Sequence, residues 1–161
     1  GLSGPVIFEV SRDACQGSGK WWCRLDFLPE LSEDELEKIV LNINLDMIGC
    51  IMGKFLACCT SEEKLVHYIS YMSQEVGFGV DAYQGVYSSD STPFADKGVP
   101  STSFCRASAQ GGATIHSRKD VLDHMSHEAF DSSLKLITAV ADRLVNAHTF
   151  PVPRNIPYNM K

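Results

Sequence analysis

Ile39-Val40-Leu41-Asn42-Ile43-Asn44-Leu45-Asp46-Met47-Ile48-Gly49 is the stretch on which the reading of the chain turns. Its density of Ile, Val and Leu suits a buried strand from Ile39 to Ile48 that turns sharply at Gly49. Asp46 then stands near the carboxyl end of that strand. A carboxylate embedded among such neighbours is hard to explain as packing, because burial requires it to be paired, hydrogen-bonded or bound to a cation.

Downstream, Lys54 to Cys59 predicts a second strand, and Thr60-Ser61-Glu62-Glu63 has the spacing of a capping box. Leu65, Ile69, Met72 and Val76 step by four, three and four, which predicts a core-facing amphipathic helix closed near Gly77. A strand over Val80 to Tyr87, a polar bend with Pro93 and Gly98, and a strand over Ser101 to Arg106 come next. The pair Gly111-Gly112 introduces a loop holding His116. Ser126 caps a last helix in which Phe130, Leu134, Ile137, Ala141 and Leu144 keep the helical step for about twenty residues, before a proline-rich tail from Pro151. Upstream, Val6 to Val10 reads as a strand, Ser11 to Gly19 as a polar loop, Trp21-Trp22 as cover for a core edge, and Ser32-Glu33-Asp34-Glu35 as the capped start of a short helix. Strands alternating with helices after residue 32 indicate a layered α/β fold with a largely parallel sheet.

Composition bounds the function. The 161 residues are 44% hydrophobic and 21% charged, which describes a single globular domain rather than a disordered chain. Fourteen basic against twenty acidic residues leave a net charge of −6, and no Lys/Arg cluster carries interleaved aromatics, so nucleic acid is not an expected partner. The apolar stretches fall short of the roughly 20 residues that cross a bilayer, so no membrane is expected either. Six cysteines, at 15, 23, 50, 58, 59 and 105, are too sparse for a disulfide scaffold and read as mostly reduced, buried thiols. The lack of a leader and of any Asn-x-Ser/Thr sequon favours the cytoplasm.

In open α/β sheets ligands gather outside the carboxyl ends of strands, and Asp46, Asp90 and His116 fall where such ends are predicted, which suggests one shared crevice. Asp and His together supply oxygen and nitrogen ligands that zinc accepts.

Three motifs extend this reading. Asn44-Leu45-Asp46-Met47-Ile48-Gly49, then Ser89-Asp90-Ser91-Thr92-Pro93-Phe94 running on to Gly98-Val99-Pro100, then His116-Ser117-Arg118-Lys119-Asp120, closely resemble in order and spacing three signatures of the double-zinc aminopeptidases. That clan also contains glutamate carboxypeptidase, glutaminyl cyclase and the non-catalytic ectodomain of transferrin receptor. The resemblance covers about residues 30 to 148 and implies a three-layer α/β/α sandwich with a mixed, largely parallel sheet. It implies that Asp46 and His116 are zinc ligands, one to each of two ions, and that Asp90, Ser91 and Phe94 line or support the pocket for a peptide substrate. Asp120 resembles the acid that orients the histidine's loop.

Other signatures of that family do not match. Its His-x-Asp motif and metal-bridging aspartate would precede residue 1, and where paired glutamates are expected this chain has Arg12-Asp13-Ala14-Cys15-Gln16-Gly17. Asp13 or Cys15 is the available substitute ligand. Ile115 and Ser91 stand where members tend to carry an aromatic and a histidine. A hydrolytic zinc pair activates a bridging water and needs a carboxylate to take its proton, so two ligands alone do not build it. The resemblance therefore implies the carboxyl-terminal part of a zinc peptidase catalytic domain, lacking ordinary activity as this chain. The competing readings are a non-catalytic interaction domain that kept the fold, and a single-zinc relative of glutaminyl cyclase. An uncovered sheet edge would favour either a homodimer or pairing with an upstream segment.

Overall fold

The computed structural model describes residues 37–51, 53–107, 117–119 and 121–160. The chain divides into two compact units, residues 1–39 and residues 40–161, and the second holds every element named below. The predicted strand at Val6 to Val10, the loop and tryptophans after it, and the start of the helix at Ser32 lie outside the described residues.

Seven elements follow in order: β1 (Asn42–Asp46), β2 (Lys54–Thr60), α1 (Glu63–Val76), β3 (Asp81–Gln84), α2 (Thr92–Asp96), β4 (Ser101–Ala107) and α3 (His127–Val145). The strands form one sheet in the order β1-β4-β2-β3. β1 runs parallel to β4 and β2 parallel to β3, while β2 and β4 are antiparallel, so the sheet is mixed and largely parallel as predicted.

β-Strands send successive side chains to opposite faces, and the register here sorts them cleanly. Phe55 pairs with Arg106, Ala57 with Phe104 and Cys59 with Thr102. Phe55, Ala57, Cys59 and Phe104 form one core with Leu65, Ile69 and Met72 of α1 and Leu136, Ile137, Val140 and Leu144 of α3. Phe104 is fully buried and stacks on Phe55 at 5.8 Å between ring centres. Each such side chain contributes roughly 1.5–3 kcal/mol through removal from water. Arg143 of α3 pairs with Glu75 of α1, and the guanidinium holds the Glu75 carboxyl below its ordinary pKa.

Several expectations are corrected by the geometry. β1 begins at Asn42 and ends at Asp46, shorter than Ile39 to Ile48, because Met47 takes a left-handed φ of 49° and breaks the strand before Gly49. β3 spans only Asp81 to Gln84, since at Gly85 the amide turns to the Cys59 carbonyl and the Gly85 carbonyl accepts from the Thr60 hydroxyl. That Thr60 sits inside β2, so the capping box is not formed; Glu62 is the N-cap of α1 and makes no side-chain cap bond. The helix itself matches its prediction, burying Leu65, Ile69 and Met72 and closing at Gly77 in the left-handed region (φ 71°). The expected bend around Pro93 is the short helix α2, with proline in its first turn where a missing N–H costs nothing.

The Ser126 hydroxyl accepts from the Ala129 amide at 3.3 Å and caps α3 as predicted. Its buried stripe, however, is Ser133, Leu136, Ile137, Val140 and Leu144, while Phe130 and Leu134 are left 37% and 38% exposed. The tail also packs: Val152 and Ile156 are buried, and the Asn155 amide donates to Glu62 at 2.7 Å.

Candidate active site

The face of the sheet away from the apolar core is polar. In-register partners share a face, which places Asn44 beside Ser103, Asp46 beside Cys105, and Cys58 between Ser103 and Tyr83. Asp46 is the last residue of β1 and is half-buried. Because β4 is parallel to β1, the chain leaves β4 at Ala107 from the sheet end that carries Asp46, and residues 108–116 follow. His116 and Asp120, like Asp13 and Cys15, lie outside the described residues.

Asp46 shapes its surroundings electrostatically. The Cys105 thiol is pushed up to about 11, first by burial and then by the Asp46 carboxylate. Burial, followed by the same carboxylate, also raises the Tyr87 phenol. Cys58 is raised by burial despite a hydrogen bond with Tyr83. These thiols are therefore protonated at neutral pH. Among the described cysteines, Cys58, Cys59 and Cys105 are buried free thiols.

The expectation that Asp90 follows a strand ending on the same side of the sheet as Asp46 needs correction. β3 is antiparallel to β1 through the β2–β4 pairing, so its carboxyl end, from which the chain runs on to Asp90, lies at the opposite end of the sheet from that of β1. The connection then returns across the polar face. Tyr87 comes within the field of Asp46. Ser89 and Ser91 meet Ser103, with hydroxyl separations of 2.8 Å between Ser89 and Ser91, 3.1 Å between Ser89 and Ser103, and 3.0 Å between Ser103 and Ser91. Asn44 Nδ2 donates weakly to Ser103 Oγ at 3.5 Å. Ser91 and Ser103 are almost completely buried, so this ring satisfies hydroxyls that would otherwise be costly. Phe94 is buried in α2, and Asp90 is partly exposed between the two serines. Ser103 and Tyr87 were not marked out by sequence reasoning, although the alternation Ser101-Thr102-Ser103-Phe104-Cys105 already puts Ser103 and Cys105 on one face.

Zinc takes three or four protein ligands in its usual sites. Among the described residues no three His, Cys, Asp or Glu side chains gather to hold a metal ion, and of the two ligands expected from the motifs only Asp46 is described. The described donor set therefore does not fit a zinc ion by itself. Among the same residues, no helix is long and apolar enough to cross a membrane.

The model of peptidase family M28 matches residues 15–141, from the segment before β1 into α3. The chain belongs to peptidase family M28. Aminopeptidase YwaD of Bacillus subtilis (strain 168) is 27% identical over 143 residues, covering 84% of this chain and 31% of that protein. A zinc aminopeptidase from Bacillus subtilis shares the fold with a TM-score of 0.61 at 24% identity, over 79% of this chain and 34% of that one. A glutaminyl cyclase from an Acidobacteriales bacterium shares it with a TM-score of 0.59 at 23% identity, over 71% and 41%. The chain spans about a third of the length of its aminopeptidase relatives. The M28 match takes in β1 with Asp46, the Ser89 to Phe94 segment and His116.

Proposed function

We propose that this chain supplies part of the active site of a zinc-dependent aminopeptidase that hydrolyses peptides at their amino termini. The observation that carries the reading is the position of Asp46: last in β1, on the polar face, at the sheet end from which the chain leaves β4 for His116. When bound, zinc supplies a Lewis acid and an activated water for attack on the peptide carbonyl. Asp46 and His116 are the ligands this chain offers, and the remaining ligands come from outside the described residues. Ser89, Ser91 and Ser103 fix the connection bearing Asp90 over the polar face, where Asp90, Ser91 and Phe94 support the peptide pocket. Tyr87 lies within the field of the Asp46 carboxylate, and its phenol is raised first by burial and then by that charge. Asp120 orients the histidine's loop. Zinc needs further ligands, and a copy of the chain or an upstream segment paired along β1, an edge strand among the described residues, is their source.

The test is zinc content by elemental analysis after incubation with excess metal and desalting, on the full chain and on Asp46→Ala and His116→Ala. Retained zinc that is lost in both variants supports the proposal; equal retention in all three proteins overturns it. A second reading, a non-catalytic domain that kept the fold, is favoured by Ala14-Cys15 where paired glutamates are expected and by Ser91 where members tend to carry a histidine. No retained zinc in the unaltered chain selects that reading.

A further inference from the structure

Met47 is the single non-glycine residue with positive φ among the described residues, at 49°, and it directly follows Asp46. A side chain in this region crowds the backbone, so the conformation persists only where neighbouring contacts hold it. The contacts converge on the next carbonyl. Arg106 Nε donates to the Ile48 oxygen at 3.3 Å. The Ser133 hydroxyl lies 3.0 Å from the same oxygen and 2.7 Å from the Ala129 carbonyl of its own helix, sharing one proton between them. Arg106 Nη2 in turn donates to Ser133 Oγ at 3.4 Å. The guanidinium is itself held over Phe55 and Phe78, 5.5 and 6.0 Å from the ring centres. Ser133 is fully buried and Ile48 nearly so, so this carbonyl has little access to water as an alternative partner.

The surrounding turn is closed by backbone bonds: Cys50 N to the Met47 carbonyl at 3.1 Å, Ser126 N to the Gly49 carbonyl at 2.9 Å, and Ile51 N to the His124 carbonyl at 3.0 Å. A Cβ at Gly49 would stand 2.9 Å from Met125 Cε, the flexible end of that side chain, and 3.3 Å from a ring carbon of Phe130, so both side chains would have to give way. A polar serine at the start of the buried stripe of α3, and an arginine on the apolar face of β4, are otherwise costly choices.

We propose that Arg106 and Ser133 are positioning residues for Asp46: together they hold the Ile48 carbonyl, and with it the left-handed turn at Met47, which sets how the Asp46 carboxylate leaves the sheet. Neither touches substrate or metal; both act through the backbone of residues 47 and 48. The consequence for catalysis rests on Asp46 being a ligand, but the test reads the backbone alone. Zinc analysis therefore judges that reading separately.

The experiment is a double-mutant cycle on the full chain, with urea-unfolding midpoints for Ser133→Ala, Arg106→Lys and Arg106→Gln, each with and without Met47→Gly. Glycine adopts a positive φ without strain, so the clamp becomes partly redundant in that background. The expected result is that Ser133→Ala and Arg106→Gln lower the midpoint much less when residue 47 is glycine, with Arg106→Lys intermediate. In parallel, the amide–Hα coupling of Met47, measured by NMR well below the unfolding midpoint, is expected to leave its left-handed value in Ser133→Ala and to stay nearer it in Arg106→Lys. Equal losses in both backgrounds, with the Met47 coupling unchanged, would overturn the proposal and leave the two residues as ordinary core supports. Should Arg106→Gln fail to fold, Ser133→Ala and Arg106→Lys still decide the matter.

Discussion

The two faces of the sheet are built from the same four strands yet obey different rules. On the helix side, Ala57, Phe104, Leu65, Ile69, Leu136 and Val140 are completely buried, and stability comes from apolar area. On the other side Asn44, Asp46, Ser103, Cys105 and Cys58 replace that area with an amide, a hydroxyl, thiols and a carboxylate, and specific hydrogen bonds join Asn44 and Ser91 to Ser103. Neighbouring residues of β4, Ser103 and Phe104, belong to the two regimes. The comparison teaches that a strand used for chemistry keeps its structural half and spends its other half on groups that packing alone would not choose.

The largest test of this contrast is Phe104→Ala, which should cost about 3–5 kcal/mol through lost transfer energy and the cavity left behind. Ser103→Ala, one residue away, should cost about 1 kcal/mol, the net worth of a hydrogen-bonded hydroxyl. Urea unfolding compares them directly, and equal costs would erase the distinction between the faces.

The thiols sharpen it next. An unfolded cysteine loses its proton near 9.0, whereas burial lifts folded Cys105 to about 11 and Cys59 to about 12. A raised folded pKa contributes stability that is complete below the unfolded value and lost as pH rises through the folded one. Stability, read as the melting temperature, should therefore fall between pH 9 and about 11–12, with an upper bound of roughly 3–4 kcal/mol per thiol. Cys105→Ala removes the share of the polar face and Cys59→Ala that of the apolar face; a profile unchanged in both variants would contradict the assignment.

The smallest effect belongs to the rim. Glu75→Ala breaks the exposed pair with Arg143 and should lower the urea midpoint least of these variants, and less still in high salt. A loss as large as that of Ser103→Ala would mean that the α1–α3 contact, rather than the sheet faces, organises stability.

The helix side was readable from sequence because its signals are local and periodic. The stepped apolar residues of α1, the Ser126 cap, and the runs that became β2 and β4 each carry their own evidence. The misses are tertiary. Nothing in the sequence says that Met47 turns left-handed before Gly49, or that β2 pairs antiparallel with β4 and so sends β3 the other way. Nor is Ser133 legible as a core residue, because its burial depends on carbonyls of Ile48 and Ala129 that come together only in the fold. The stripe of α3 was misplaced for the same reason: it opens on a polar residue, Ser133, while Phe130 and Leu134 stay exposed. Asp46 was legible because a carboxylate inside an apolar run is anomalous by itself, while Ser103 and Arg106 acquire meaning only from their neighbours across the strand.

The most direct test is diffraction from zinc-soaked crystals of the full chain, with anomalous data collected at the zinc edge. The proposed site predicts a zinc peak about 2.0–2.2 Å from an Asp46 carboxylate oxygen, with His116 as a ligand of the same or the neighbouring ion. A zinc-free Asp46 whose carboxylate is satisfied entirely by protein donors, in crystals that bind zinc elsewhere or nowhere, would contradict it.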